Sequence, residues 1–163
     1  MRHIISLLVE NEAGALSRVA GLFSARAYNI ESLTVAPTND SSMSRMTIVT
    51  SGSDNIIEQI TKQVNKLVDV IRVSDLSELK HVERELLLIK ILAVSEQRAG
   101  INENIASFNA RLIDDSDTIC TIELTDTSEK LDKFIQSFDK KNIVEVVRSG
   151  VTGIALGKNI LQV

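Results

Sequence analysis

One strand-to-helix junction concentrates the residues best suited to holding a small ligand: Val9-Glu10-Asn11-Glu12-Ala13-Gly14-Ala15-Leu16-Ser17-Arg18-Val19. The spacing predicts a helix that begins just after Gly14. The first amides of such a helix lack intrahelical acceptors and carry the positive end of its dipole. Gly14 has no Cβ, so a ligand has room to approach the backbone. Together these features make a receptor for a carboxylate. Asn11 adds an amide that both donates and accepts, which suits the ammonium or carboxylate of an amino acid. Ala13, Ala15 and Leu16 are small or apolar and suit a short aliphatic side chain. A purely structural reading also stands on physics alone: Gly14 serves the turn, and Asn11 caps the helix.

Other chemistries find few residues. Nucleophilic catalysis needs a base beside the nucleophile, and the histidines are His3, at the start of a strand, and His81, in a polar connection. Both are expected to be solvated. The single cysteine, Cys120, lies in an alternating strand and reads as a small core residue; no internal disulfide is possible. A His/Cys metal cluster has no ligand set. Asp114-Asp115-Asp117 brackets a hairpin turn without the spacing of an EF-hand. Neither G-x-G-x-x-G nor G-x-x-x-x-G-K-[ST] occurs.

Composition narrows the classes further. The 163 residues include 18 Lys+Arg against 22 Asp+Glu, a net charge of -4, where a nucleic-acid footprint would be basic. Aromatics are 3%, too few for a base-stacking platform. Hydrophobic residues at 44% and charged residues at 25% match an ordinary globular protein. No apolar run reaches the roughly 18 residues of a membrane span, and no signal peptide is evident. A reducing cytoplasm is the expected compartment.

The elements that must position the junction follow from periodicity. Ile4 to Val9 reads as a strand. Leu16, Val19, Ala20 and Phe23 form a helical apolar stripe ending near Tyr28-Asn29. Ile30 to Ala36 and Met46 to Thr50 read as strands around the turn cluster Pro37-Thr38-Asn39-Asp40-Ser41-Ser42. Ser53-Asp54 caps a helix with Ile56, Ile57, Ile60, Val64 and Leu67 on one face, and Val70 to Val73 closes the unit. The order β-α-β-β-α-β then recurs: strand Leu86–Val94, helix Glu96–Phe108, strands Arg111–Asp114 and Thr118–Leu124, a helix carrying Leu131, Phe134, Ile135 and Phe138, and strand Ile143–Val147. Val68-Asp69-Val70-Ile71-Arg72 resembles Val144-Glu145-Val146-Val147-Arg148 at an offset of 76. The predicted fold class is α+β: two ferredoxin-like βαββαβ domains in tandem. The boundaries read as 1–76, a linker 77–82, and 83–163, with the segment bearing Gly150, Gly153 and Gly157 as a flexible tail. Domains this small are marginal alone, so pairing of sheet edges or helix faces is expected, a two-fold dimer being the natural form.

The junction carries a resemblance. Asn11 to Val19 resembles the N-x-x-G-x-L-x-R-V motif of ACT domains, which bind amino acids. The run Phe23 to Thr38, with Ser44 to Ile48 and Leu67 to Val70, resembles the small, regulatory subunits of acetolactate synthase (acetohydroxyacid synthase). His81 to Leu86 and Arg148 to Val151 continue the match; Val94 to Lys141 matches sparsely. The resemblance implies that the first domain is an ACT domain and the chain a non-catalytic subunit. Such a subunit binds and activates the catalytic large subunit and confers feedback inhibition by valine in branched-chain amino-acid biosynthesis. No cofactor is expected on this chain; thiamine diphosphate, Mg²⁺ and FAD belong to the large subunit. The family's effector sits between ACT domains of two protomers. Carried over by position, Asn11, Ala13, Gly14, Ala15 and Leu16 would meet valine from one chain, and Asn29 and Ile30 from its partner. Ala27 stands where the family usually has Gly; if the position needs φ > 0, Ala adds strain of order 1 kcal/mol. A free-standing ACT-type sensor acting on another enzyme or regulator is the alternative function. A nucleic-acid module and a small enzyme are the remaining classes, with neither a basic aromatic face nor a catalytic constellation to support them.

Overall fold

The computed structural model describes residues 1–162. Its backbone resolves into two units, Met1–Glu83 together with the chain from Val151 on, and Arg84–Gly150. In the first unit, seven consecutive residues of β1 (Arg2–Glu10) are buried, so this strand must be covered on both faces. It is central: the sheet order is β2-β3-β1-β4, with β2 at Ser32–Pro37, β3 at Met43–Ser51 and β4 at Val70–Asp75. All pairings are antiparallel. One face of β1 places Ile5, Leu7 and Val9 against α1 (Ala15–Ala25) and α2 (Asp54–Val64), through Val19, Phe23, Ile57, Ile60 and Val64. The stripe on α1 keeps Val19 and Phe23 as expected and differs at its first position. Ala15 rather than Leu16 is buried, and Leu16 remains 41% exposed.

The other face of β1 is covered by the chain's own C-terminal stretch. Ile4 and Val49 pack with Leu76 and Val151 in a second apolar cluster. Thr152–Ala155 forms a strand, β9, paired with β5 (His81–Leu92), whose residues up to Glu83 belong to this unit. A Cβ on Gly153 would lie 2.9 Å from Leu76 Cδ1, so glycine permits this close approach. The segment expected as a flexible tail is therefore an ordered cover through Ala155. The expected linker is a short 3-10 turn, Leu76–Glu78, followed by the first residues of β5.

The second unit repeats the plan. β5, α3 (Arg98–Phe108), β6 (Arg111–Asp115), β7 (Ile119–Asp126), α4 (Ser128–Gln136) and β8 (Ile143–Arg148) give the sheet order β6-β7-β5-β8. Leu87, Ile89 and Ile91 alternate into a core with Ile101, Cys120, Ile122, Leu131 and Phe134. Each unit bulges at the same place, between Leu8 and Val9 against β4 and between Lys90 and Ile91 against β8. The bulges equate Ile71 with Val144, 73 positions on, so the letter repeat at 76 is not the structural register. Tandem ferredoxin-like βαββαβ units are thus the fold, as the element order implied.

Candidate functional site

The loop joining β1 to α1 is built by backbone and side chain together. Asn11 N–H donates to Ser42 O (2.7 Å), and its Nδ2 donates to Ser41 O (2.9 Å). Its Oδ1 accepts from the buried Ser44 hydroxyl (3.0 Å). Asn11 is thus fastened to the β2–β3 hairpin. It keeps one N–H and one lone pair for a ligand. Gly14 is the N-cap residue just before α1, at φ 92, and no side chain caps this end. Ala15 N–H is taken by Glu12 O at 3.2 Å, and its methyl is buried. What the helix presents outward is the first-turn backbone around Leu16 and Ser17, with the exposed Leu16 side chain beside it.

The space beside Gly14 is filled by the chain itself. A Cβ built there would lie 2.9 Å from Arg18 Nη1. Arg18 is held by a two-pronged pair to the buried carboxylate of Asp69, Nε to Oδ2 and Nη2 to Oδ1, the latter at 2.6 Å. Hydrogen bonding to Arg18 holds Asp69 below the usual carboxylate range, and the same bond raises Arg18. Glu10 N–H also donates to Asp69 O at 2.8 Å, so the turn before β4 supports both ends of the loop. Gly14 therefore serves two needs: a positive φ, and room for this guanidinium. Sequence reasoning singled out Gly14 and missed the Arg18–Asp69 pair that packs on it. Its signal was the opposite charge of two residues, each inside a quoted motif.

Asn29 and Ile30 lie beyond the other end of α1. Asn29 O accepts from Thr50 Oγ1 at 2.6 Å while its side chain is exposed, and Ile30 packs partly against the first core. α1 has 11 residues, about 16 Å at 1.5 Å per residue, so one protomer does not bring this pair to the Gly14 loop. The turn between them is set by Ala27 at φ 56. Its N–H donates to Ser24 O (3.1 Å) and Tyr28 N–H to Phe23 O (2.9 Å), with Tyr28 edge-on to Phe23. This is a Schellman cap, normally a glycine position.

The remaining reactive groups are accounted for by the fold. His3 is 5% exposed, not solvated as expected, with Nδ1 2.9 Å from Asp75 Oδ2. His81 Nδ1 lies 2.9 Å from Leu79 O. Cys120 is buried, and burial, then the nearby Asp115, pushes its thiol up. Among the described residues no group of three His, Cys, Asp or Glu is placed to hold a metal ion. Among the same residues, no helix is long and apolar enough to cross a membrane.

Residues 5–72 match the family described as AHAS small subunit-like ACT domain, and residues 84–157 match that described as small subunit of acetolactate synthase. The acetolactate synthase isozyme 3 small subunit of Salmonella typhimurium is 54% identical over 99% of this chain and 100% of its own length. That of Escherichia coli is 53% identical over the same shares. The crystal structure of the acetolactate synthase small subunit from Thermotoga maritima superposes with a TM-score of 0.88 at 35% identity, covering 98% of this chain and 99% of that one. A first unit built as an ACT domain, a second matching the small subunit's own C-terminal family, and relatives alike from end to end place the chain in the family of acetolactate synthase small subunits.

Proposed function

We propose that the chain is the regulatory subunit of an acetolactate synthase in the cytoplasm. It binds the catalytic large subunit, raises its activity and makes it inhibitable by valine, so that branched-chain amino-acid synthesis is throttled by its product. The reaction and its thiamine diphosphate, Mg²⁺ and FAD reside on the large subunit; this chain contributes no cofactor. The observation that carries the reading is the uncapped start of α1 at Gly14, flanked by the exposed Leu16. First-turn amides and the helix dipole receive the carboxylate of valine. The free N–H and lone pair of Asn11 reach its polar groups, while Ala13 and Leu16 border its isopropyl group and Ala15 backs them from the core. Asn29 and Ile30 belong to the same site from a second protomer, because α1 holds them away from the loop of their own. The assembly is thus a homodimer through ACT domains with valine between them. Valine shifts the enzyme only if it binds the inhibited arrangement more tightly than the active one.

The test is reconstitution with the large subunit. Wild type is expected to raise activity and to confer inhibition by valine. Gly14→Asp sets a Cβ against Arg18 at a backbone conformation that favours glycine, and its carboxylate repels the effector's and competes with Asp69 for the guanidinium. It is expected to abolish the valine response and leave activation intact. Wild-type inhibition in this variant would remove the loop from the site. Valine binding without any effect on the large subunit would indicate a free-standing sensor.

A further inference from the structure

β2 begins two residues after Ile30, and it is an edge strand whose backbone partner is β3. Ser32 and Thr34, two apart and so on one face, both turn their hydroxyls to the backbone of Val151. Thr34 Oγ1 donates to Val151 O at 3.0 Å, and Val151 N–H donates to Ser32 Oγ at 3.3 Å. The Val151 side chain is 2% exposed, seated on Ile4, Val49 and Leu76. Arg45 Nη2 donates to Gly153 O at 3.2 Å and continues the attachment. Val151 is also where the chain re-enters the first unit, directly after Gly150 at φ 82. One residue before that, Ser149 is tied to Leu86 in both directions, N–H to O and Oγ from N–H, each at 3.0 Å.

We propose that the Ser32–Thr34 seat of Val151 is the coupling point through which occupancy of the effector site is passed to the second unit. The inference rests on the valine reading above. An effector engaging Asn29 and Ile30 acts on the residues that lead straight into β2. Within one chain β2 is hydrogen-bonded to a single neighbouring strand, β3, where β1 and β3 each have two. Its shift is passed to Val151 by two side-chain hydrogen bonds and to Gly150 by the covalent chain. Apolar packing alone would hold Val151 in place; the paired hydroxyls make its position follow β2.

The experiment compares wild type, Ser32→Ala/Thr34→Val and Thr34→Ser, each reconstituted with the large subunit. It measures valine binding by calorimetry, with and without the large subunit, and inhibition by valine. Coupling is the ratio of the two affinities, typically about 5–150-fold for an allosteric pair. In the double variant it is expected to fall to near one. Valine is expected still to bind the variant alone, activation to persist, and inhibition at saturating valine to be lost. Thr34→Ser, which keeps the hydroxyl, is expected to stay inhibitable. A double variant inhibited to wild-type depth with an unchanged midpoint overturns the proposal. If the double variant does not fold, Thr34→Val alone is read by the same criteria. Wild type that fails to bind valine overturns the effector reading itself, and this inference with it.

Discussion

Ala27 holds a left-handed backbone conformation, φ 56, at the point where α1 turns into β2. The second unit has the same turn 82 positions later, with Asn109 at φ 55 and the same pair of capping bonds, from Asn109 to Ala106 and from Ala110 to Ile105. Asparagine visits that conformation more readily than alanine, for which it costs about 1–2 kcal/mol. Ala27→Gly is therefore expected to stabilise the first unit by about 1 kcal/mol. That gain would raise the melting temperature by roughly 2–4 °C, read by thermal denaturation. The sequence alone posed this question at the right residue, because Ala27 breaks a pattern otherwise kept. It could not supply the answer, since φ is not written in residue type. Arg18 marks the opposite limit. Its partner Asp69 is 51 positions away, and a pair formed across a fold leaves no periodic trace. Asn11 was legible as a hydrogen-bonding residue, but its attachment to Ser41 and Ser44 depends on where the β2–β3 hairpin lands.

At the level of elements, β5 and β8 are joined at one end by a charge network built on the buried carboxylate of Glu85. Glu85 accepts from Arg148 Nε (3.0 Å) and Nη2 (2.7 Å) and from the Ser128 hydroxyl (2.9 Å) at the start of α4. Arg148 Nη1 also reaches Asp132 at 2.6 Å. Burial pushes Glu85 up, but hydrogen bonds from Arg148 and Ser128 outweigh it, and the carboxyl titrates below its ordinary range. A depressed folded pKa adds stability above the unfolded value, about 4.3 for glutamate, and loses it as pH falls through the folded value. The network is thus fully present at neutral pH and lost in acid, below about pH 4. Glu85→Gln is expected to cost about 1.5–3 kcal/mol at pH 7, the usual worth of hydrogen bonds to a charged group. It is also expected to flatten the acid limb of the unfolding profile, as followed by urea denaturation across pH. Equal acid dependence in wild type and variant would remove Glu85 from that limb. The helices and the inner strands were legible because burial imposes a period on their residues. The start of β5 and the whole of β9 were not. His81-Val82-Glu83 and Thr152-Gly153-Ile154-Ala155 owe their form to strand pairing, which period alone does not reveal.

For the whole molecule, the consequential feature is that the first unit is not a continuous stretch of chain. Val151 and its neighbours close the reverse face of the first sheet over Ile4, Val49 and Leu76. Removing the chain from Val151 on is expected to lower the stability of the first unit by at least about 2 kcal/mol, the burial of one aliphatic side chain. The hydrogen bonds of Ser32, Thr34 and Arg45 are lost with it. A lower urea midpoint together with concentration-dependent association would show the uncovered face; an unchanged midpoint would show that the cover is dispensable. The same discontinuity sets an order in time during synthesis. The sheet residues of the first unit leave the ribosome early, but their cover follows only after the 67 residues of Arg84–Gly150 have been made. At about 5–20 residues per second that interval is several seconds. Through it Ile4 and Val49 of the nascent sheet wait for the Val151 side chain that covers them, so the unit translated first is the last to be completed.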